Sequence, residues 1–483
     1  LRRVREELYE AGVHGFAEPM NLDRMLKPKT VALLGASSNP EKVGNNILHS
    51  LLRNGPRIYP VNPSEKKVMG LKCYRSVLDI EDEIDLAILA IGAKLVVPMV
   101  KECAIKGIPF VIIVAGGFSE IGPEGKAIEE ELKEAINGTG TRILGPNTMG
   151  VLVPGKLDTF FLPPERSPRP AQGEIAIVSQ SGSLLMAAYE VAQNEGLGLR
   201  ACVGIGNKVD LNENDFLDHF KEDEQTKCVT FYLESFQDGK RFLELAKETA
   251  TKKPVVVAKA GATERGAIAA SSHTGALAAS SSALVSGVLR QAGIARVRDE
   301  RELLDASKAL AFVGSIPGDR IVIIGSTGGF GVIATDYVTS TTEGFGMKLA
   351  DLSEDSKRRI KAISPYFASV SNPVDLTGAV TNEMHDQVLE AVQDDLGVDA
   401  VLMIMQFQPP KLTPQLADIV IKWSLKGKKP IMVCCVGGSY PLPVLRRMDA
   451  LGVPSYGSIR QAVFALRCLA DRGRYLAHIN QKE

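Results

Sequence analysis

The sequence has no C-x-x-C pair, no long apolar run and no surplus of either charge, and each absence removes a class of function. Its seven cysteines (Cys73, Cys103, Cys202, Cys228, Cys434, Cys435 and Cys468) sit mostly in or beside apolar runs. That usage favours neither a disulfide framework nor a zinc site; it fits buried thiols of a reducing, cytoplasmic compartment, with no metal site expected. No apolar stretch approaches the roughly 18 residues that would span a bilayer. The basic start Leu1-Arg2-Arg3-Val4-Arg5 runs straight into Glu6 and Glu7, not into a signal-peptide core, and a leucine in first position suggests a trimmed or processed chain. Lys and Arg number 56 against 57 Asp and Glu, so no basic surplus draws the chain to nucleic acid or to an anionic membrane.

What is present is a repeated pattern. Val31-Ala-Leu-Leu-Gly-Ala-Ser37, Ile175-Ala-Ile-Val-Ser-Gln-Ser181 and Ile321-Val-Ile-Ile-Gly-Ser-Thr327 each join a short apolar run to a turn of small residues and then to a helical pattern. Apolar runs without alternation are the mark of strands buried on both faces of a parallel sheet. Later runs of the same kind follow each one: Asp85–Ile91 and Pro109–Val114, Cys228–Leu233 and Pro254–Ala258, Ala400–Met405 and Pro430–Cys435. The pattern predicts an α/β chain of three consecutive domains, over residues 25–155, 165–300 and 315–470, behind an N-terminal leader of residues 1–24. The third copy is the longest, its extra residues expected around Tyr366–Thr381. Pro163–Pro170, half proline and without an apolar side chain, reads as the first linker, and Gly314–Asp319 as the second.

Ligands gather at the carboxyl ends of such strands, where helix N-termini offer free N–H groups. All three first turns are small and hydroxyl-rich: Gly35, Ala36, Ser37 and Ser38; Ser179, Ser181, Gly182 and Ser183; Ser326, Thr327, Gly328 and Gly329. Tight βα connections favour Gly and Ser on structural grounds alone, but three such turns in one chain point to phosphate. The first turn lacks G-x-G-x-x-G, and the second strand ends in Asn62-Pro63 where a dinucleotide site places an acid for the ribose. NAD is disfavoured. An adenine nucleotide with a 3′-phosphate, such as coenzyme A, would avoid the acid and welcome a cation, for which Lys66 and Lys67 are the candidates.

The stretch Ser271-Ser-His-Thr-Gly-Ala-Leu-Ala278 sets one histidine among hydroxyls and small residues. A neutral imidazole is a competent nucleophile, and this composition suits a loop that something large and charged must approach. The alternative is a histidine beside a helix start, with Ser271 or Ser272 as the N-cap.

Together these motifs resemble the α subunit of NDP-forming acyl-CoA synthetases, the ADP-forming acetyl-CoA synthetase branch of the succinyl-CoA synthetase superfamily. The likeness rests on Leu34-Gly-Ala-Ser-Ser38, Tyr59-Pro-Val-Asn-Pro63, Gly145-Pro-Asn-Thr-Met-Gly150, Ser179-Gln-Ser-Gly-Ser183, Ser272-His-Thr-Gly-Ala-Leu277 and Asn372-Pro-Val-Asp-Leu376, in that order. The resemblance implies a Rossmann-like CoA-binding domain followed by two flavodoxin-like parallel-sheet domains. It implies CoA at Gly35, Ala36, Ser37, Ser38, Asn62 and Lys66, and a phosphorylated His273 whose imidazole is held by Glu234. The phosphoryl group would lie between two helix N-termini, at Ser181, Gly182 and Ser183 and at Thr327, Gly328 and Gly329. It further implies a short-chain carboxylic acid or its acyl-CoA as substrate, and ADP or ATP with Mg2+ on an ATP-grasp β subunit, separate or fused, in a hetero-oligomer. Two positions depart from the family: Ser64 stands where a lysine is common, and Phe330 where a smaller residue is expected. A CoA-binding regulatory protein without turnover is the rival, with a Rossmann-type oxidoreductase behind it. The Glu234–His273 pairing argues against the first, and Asn62 with the missing glycine pattern against the second.

Overall fold

The computed structural model describes residues 21–261, 263, 265–266, 282–342 and 344–481. Three largely parallel sheets follow one another along it. The first contains β1 (Thr30–Leu34), β2 (Arg57–Val61), β5 (Leu86–Leu89), β6 (Phe110–Ile113) and β7 (Arg142–Leu144) in the order β2-β1-β5-β6-β7, with β3 (Lys67–Val68) and β4 (Leu71–Lys72) set apart as a small hairpin. The second contains β8 (Val151–Val153), β9 (Leu157–Asp158), β10 (Gln172–Ser179), β11 (Leu199–Gly204), β12 (Cys228–Leu233), β13 (Val255–Lys259) and β14 (Ile294–Val297), ordered β14-β13-β12-β10-β11-β8-β9. The third is β15 (Arg320–Gly325), β16 (Lys348–Leu349), β17 (Val374–Asp375), β18 (Ala400–Met405), β19 (Ile431–Cys435) and β20 (Ser455–Tyr456), ordered β16-β15-β18-β19-β20 with β17 also on β15.

The apolar runs are buried strands because both faces of each sheet are covered. β5, β6, β11, β18 and β19 are buried at every residue. In each sheet the first long strand (β1, β10, β15) has neighbours on both sides, so the chain departs in opposite directions from its carboxyl end. That opens a crevice there, and the three small-residue turns occupy those three places. All seven cysteines are buried free thiols, and burial pushes Cys103 up to about 12.

The second and third sheets share one hydrophobic core, built through the helices α1 (Glu300–Phe312) and α2 (Ile459–Asn480). Within that junction the buried Lys308 ammonium lies 3.0 Å from Asp449 and 3.1 Å from Glu195, and also donates to the Ser455 carbonyl.

The observed packing differs from the sequence reading at two places. Residues 151–158, at the end of the first expected interval and just beyond it, form β8 and β9 in the second sheet, where β8 runs antiparallel to β11. Pro163–Pro170 is no free linker: Ser167 and Pro170 are buried, and Arg169 bonds Asp158 at 2.9 Å. The missing apolar side chains there are replaced by polar anchors. Leu22, near the end of the expected leader, and Met25 and Leu26 just beyond it pack in the core. Tyr366–Thr381, where the third copy's extra residues are expected, contains the short strand β17.

Candidate active site

The first turn is closed by its glycine. Gly35 adopts φ +89°, and a Cβ there would stand 2.4 Å from the Ala90 carbonyl oxygen, so no other residue fits without displacing the neighbouring strand. Ala36 is buried beneath the turn, while Ser37 is half-buried and Ser38 exposed. The turn already holds an anion. Ser38 donates its N–H to Glu65 at 2.9 Å and its hydroxyl to the other oxygen of the same carboxylate. Those two bonds, the hydroxyl's first, hold the Glu65 carboxyl below its usual range. Asn62 spans the crevice: its Nδ2 donates to the Ala36 carbonyl at 2.8 Å and its Oδ1 accepts from Ser64 N–H at 2.9 Å. The side chain of Lys66 is exposed one residue beyond Glu65. Glu65 thus occupies both Ser38 donors, a contact not visible in the sequence because the two residues lie 27 apart.

At the second turn, Ser181 is the N-cap of the helix α3 (Gly182–Glu195). Its hydroxyl accepts from Leu184 N–H at 3.4 Å and lies 3.2 Å from that of Ser183. Gly182 is required by packing, because a Cβ there would meet Met149 Cγ at 2.8 Å. Met149 belongs to the Gly145–Gly150 motif, which joins the first sheet to the second. Thr148 donates to the Gly204 carbonyl at 2.7 Å, Gly204 to that of Gly150 at 2.8 Å, and Val209 to that of Gly145 at 3.0 Å. The motif's residue types therefore set where α3 begins.

Glu234 follows β12 directly and is 6% exposed. Its N–H and that of Ser235 both donate to Gln180 Oε1, at 3.0 and 3.2 Å. The Glu234 carbonyl accepts from Lys259 Nζ at 2.8 Å and the Ser235 carbonyl from Lys208 Nζ at 2.8 Å. Lys208 is 3% exposed and also pairs with buried Glu213 at 3.0 Å. Burial holds the Lys208 ammonium below the usual lysine range, with Glu213 and then Glu234 opposing. Lys208 and Lys259 were not among the residues expected from the sequence, and Gln180 was expected only at the opening of the helix, not as a partner of Glu234. His273, the expected nucleophile, lies outside the described residues.

The third turn has spare donors. Thr327 stands at the N-cap of the helix α4 (Gly328–Thr339) but its hydroxyl makes no capping bond. The hydroxyls of Ser326, itself 3% exposed, and of Thr327 are buried with no partner among the described residues. Gly328 and Gly329 are exposed at the start of α4, and Phe330 turns away to pack, half-buried, on the shared core. Asn372 braces the turn from below, accepting from Ile323 N–H at 3.0 Å and donating to the Ile321 and Ala350 carbonyls at 2.8 and 3.0 Å. Among the described residues no hydrogen bond joins one of the three turns to another.

Comparison with known proteins agrees with this geometry. Residues 29–154 match the family described as CoA binding domain, and residues 172–310 the succinyl-CoA ligase like flavodoxin domain. The chain is 39% identical, over 96% of its length and 100% of the relative's, to the acetate–CoA ligase [ADP-forming] I subunit alpha of Pyrococcus furiosus. It is 35% identical to the acetate–CoA ligase [ADP-forming] I of Archaeoglobus fulgidus, covering 96% of this chain but only 64% of that longer protein. The structure of the dinucleotide forming acetyl-coenzyme A synthetase 1 of Ca. Korarchaeum cryptofilum, in complex with phosphate and ADP, superposes with a TM-score of 0.86 at 32% identity, covering 96% of this chain and 99% of that one. The fold is accordingly a CoA-binding domain followed by succinyl-CoA ligase-like flavodoxin domains, and the chain belongs to the family of ADP-forming acetate–CoA ligase α subunits.

Proposed function

We propose that this chain is the CoA-binding, phosphohistidine-carrying subunit of a ligase that interconverts acyl-CoA, phosphate and ADP with a carboxylic acid, CoA and ATP. The observation that carries this reading is Glu234, a buried carboxylate at a central strand end whose backbone is fixed on every side. On this reading CoA is held at Gly35, Ala36, Ser37, Ser38 and Asn62, with Lys66 facing its phosphates. Glu65 must leave Ser38 as a phosphate arrives, a trade of one anion for another on the same donors.

In the ATP-forming direction a phosphate oxygen attacks the thioester carbon, the C–S bond breaks, and CoA leaves with the proton the phosphate gives up. Donors at Ser181, Gly182 and Ser183 and at Thr327, Gly328 and Gly329 bind the phosphoryl oxygens. A ring nitrogen of His273 then attacks phosphorus, and the carboxylate of the acid departs as the P–O bond breaks. Glu234 accepts the other ring N–H, which fixes the tautomer and stabilises the imidazolium. The phosphoryl group passes finally to ADP, with its Mg2+, on an ATP-grasp partner domain. Short acids fit the relatives, two of which are named for acetate. A cytoplasmic hetero-oligomer with that partner is the expected working form, and no helix among the described residues is long and apolar enough to cross a membrane.

The test is His273→Asn, which cannot form the P–N bond. Loss of all phosphoryl transfer to ADP, with CoA binding retained, is the expected result; ATP formation at an appreciable rate would remove His273 from the mechanism.

A further inference from the structure

Glu234 and Ser235 lie beyond the last residue of β12, where no ladder partner is owed to them. Their four backbone polar groups are nonetheless all taken by side chains. Gln180 accepts both N–H groups, Lys259 donates to one carbonyl and Lys208 to the other. These side chains come from three separate strand ends: Gln180 follows β10, Lys208 follows β11, and Lys259 ends β13.

Two of the three are ammonium groups, and neutral donors would have satisfied the same carbonyls. Lys208 is buried, and its backbone takes the left-handed conformation, φ +59°, that lysine seldom adopts. A buried ammonium is tolerated only when paired and hydrogen-bonded, and Lys208 meets that condition through Glu213 and Ser235, on either side of the loop that follows Glu234. Lys208 Nζ lies 2.8 Å from the Ser235 carbonyl, 3.3 Å from the Ser235 hydroxyl and 3.0 Å from Glu213. Glu213 accepts in turn from Gln237 N–H at 2.5 Å, so one ammonium ties down the loop on the far side of Glu234. Both lysines also couple electrostatically to the Glu234 carboxylate.

We infer that Lys208 and Lys259 are positioning residues for Glu234: with Gln180 they lock the Glu234–Ser235 peptide, so that the carboxylate is presented to the imidazole in one orientation beside a standing positive charge. The inference rests on the reading of Glu234 as the imidazole's partner.

The experiment follows phosphohistidine formation by the full chain with acetyl-CoA and inorganic phosphate, in the wild type, Lys208→Met, Glu234→Gln and the double variant. Lys208→Met should slow the reaction roughly tenfold at an unchanged KM for acetyl-CoA. Lys208→Gln, still able to donate to the Ser235 carbonyl, should recover part of that loss. The double variant should be no slower than Glu234→Gln alone, because a residue acting through Glu234 has nothing further to lose. An unchanged rate in Lys208→Met, or losses that multiply in the double variant, would overturn the inference. Should Lys208→Met fail to fold, Lys259→Met, at a half-buried position, decides by the same comparison. If the wild-type chain forms no phosphohistidine, the reading of the site falls and this inference with it.

Discussion

At the strand ends of the second sheet every backbone group of Glu234–Ser235 is bonded, whereas at the matching turn of the third sheet the hydroxyls of Ser326 and Thr327 are buried with no partner among the described residues. Among the described residues Ser364, His385 and Ser424 of the third domain also bury an unpaired polar atom, so that domain holds five of the seven such groups there. The contrast separates two tasks that similar turns can perform. A group that must present a single orientation is pinned from several strands. On the proposed reading, the hydroxyls of Ser326 and Thr327 are left for a ligand, at a cost of about 1–3 kcal/mol for each buried unsatisfied group. The first turn lies between these extremes, its donors lent to Glu65.

Breaking the pinned side should have the larger effect. Glu234→Gln keeps an acceptor but loses the charge, and a charge-assisted bond to the reacting imidazole is worth about 1.5–3 kcal/mol, or roughly ten- to over a hundredfold in rate. An unchanged rate of phosphohistidine formation would reduce Glu234 to a structural residue.

The comparison sharpens if stability is measured on both sides at once. Gln180→Leu strips the acceptor from two buried N–H groups and should cost about 1–3 kcal/mol in denaturant unfolding. Ser326→Ala removes a hydroxyl with no partner among the described residues, so it should leave stability level or slightly higher while raising the KM for phosphate several-fold. Equal destabilisation by the two substitutions would erase the distinction between pinned and spare groups.

How much of this was legible in the sequence depended on how far each feature reaches along the chain. The strands were, because burial on both faces forces unbroken apolar runs such as Ala400–Met405, which is β18 residue for residue. The turns were, because they follow those runs directly. The short pairing of β8 with β11 carries no pattern of its own, so the sequence does not show residues 151–153 joining the second sheet. Proline content misled at Pro163–Pro170, where Arg169 and Ser167 supply polar anchors in place of apolar ones. The clamp on Glu234 was invisible for a different reason. Lys208 lies 27 residues from Ser235, and only the order of β10, β11, β12 and β13 brings them together.

A smaller effect concerns pH in the third domain. Burial pushes His385 down to about 4, and its Nδ1 lies 3.1 Å from the Thr381 carbonyl oxygen. The folded pKa is below the unfolded value of about 6.5, so between the two the unfolded chain binds more protons. Stability from this residue is therefore present above about pH 6.5 and is lost as the pH falls toward 4. His385→Gln should flatten the fall in unfolding midpoint over that window; an equally steep fall would assign the acid sensitivity to other groups.

The most direct test of the central claim gives the purified chain acyl-CoA, phosphate and ADP with no other protein present. On the proposed reading, the turns that take CoA and phosphate and Glu234 all belong to this chain, while the nucleotide sits on a partner domain. Mass spectrometry should find one phosphate on His273 as free CoA accumulates, and no ATP should form until an ATP-grasp subunit is added. ATP made by the chain alone, or CoA release with His273 unmodified, would contradict the account.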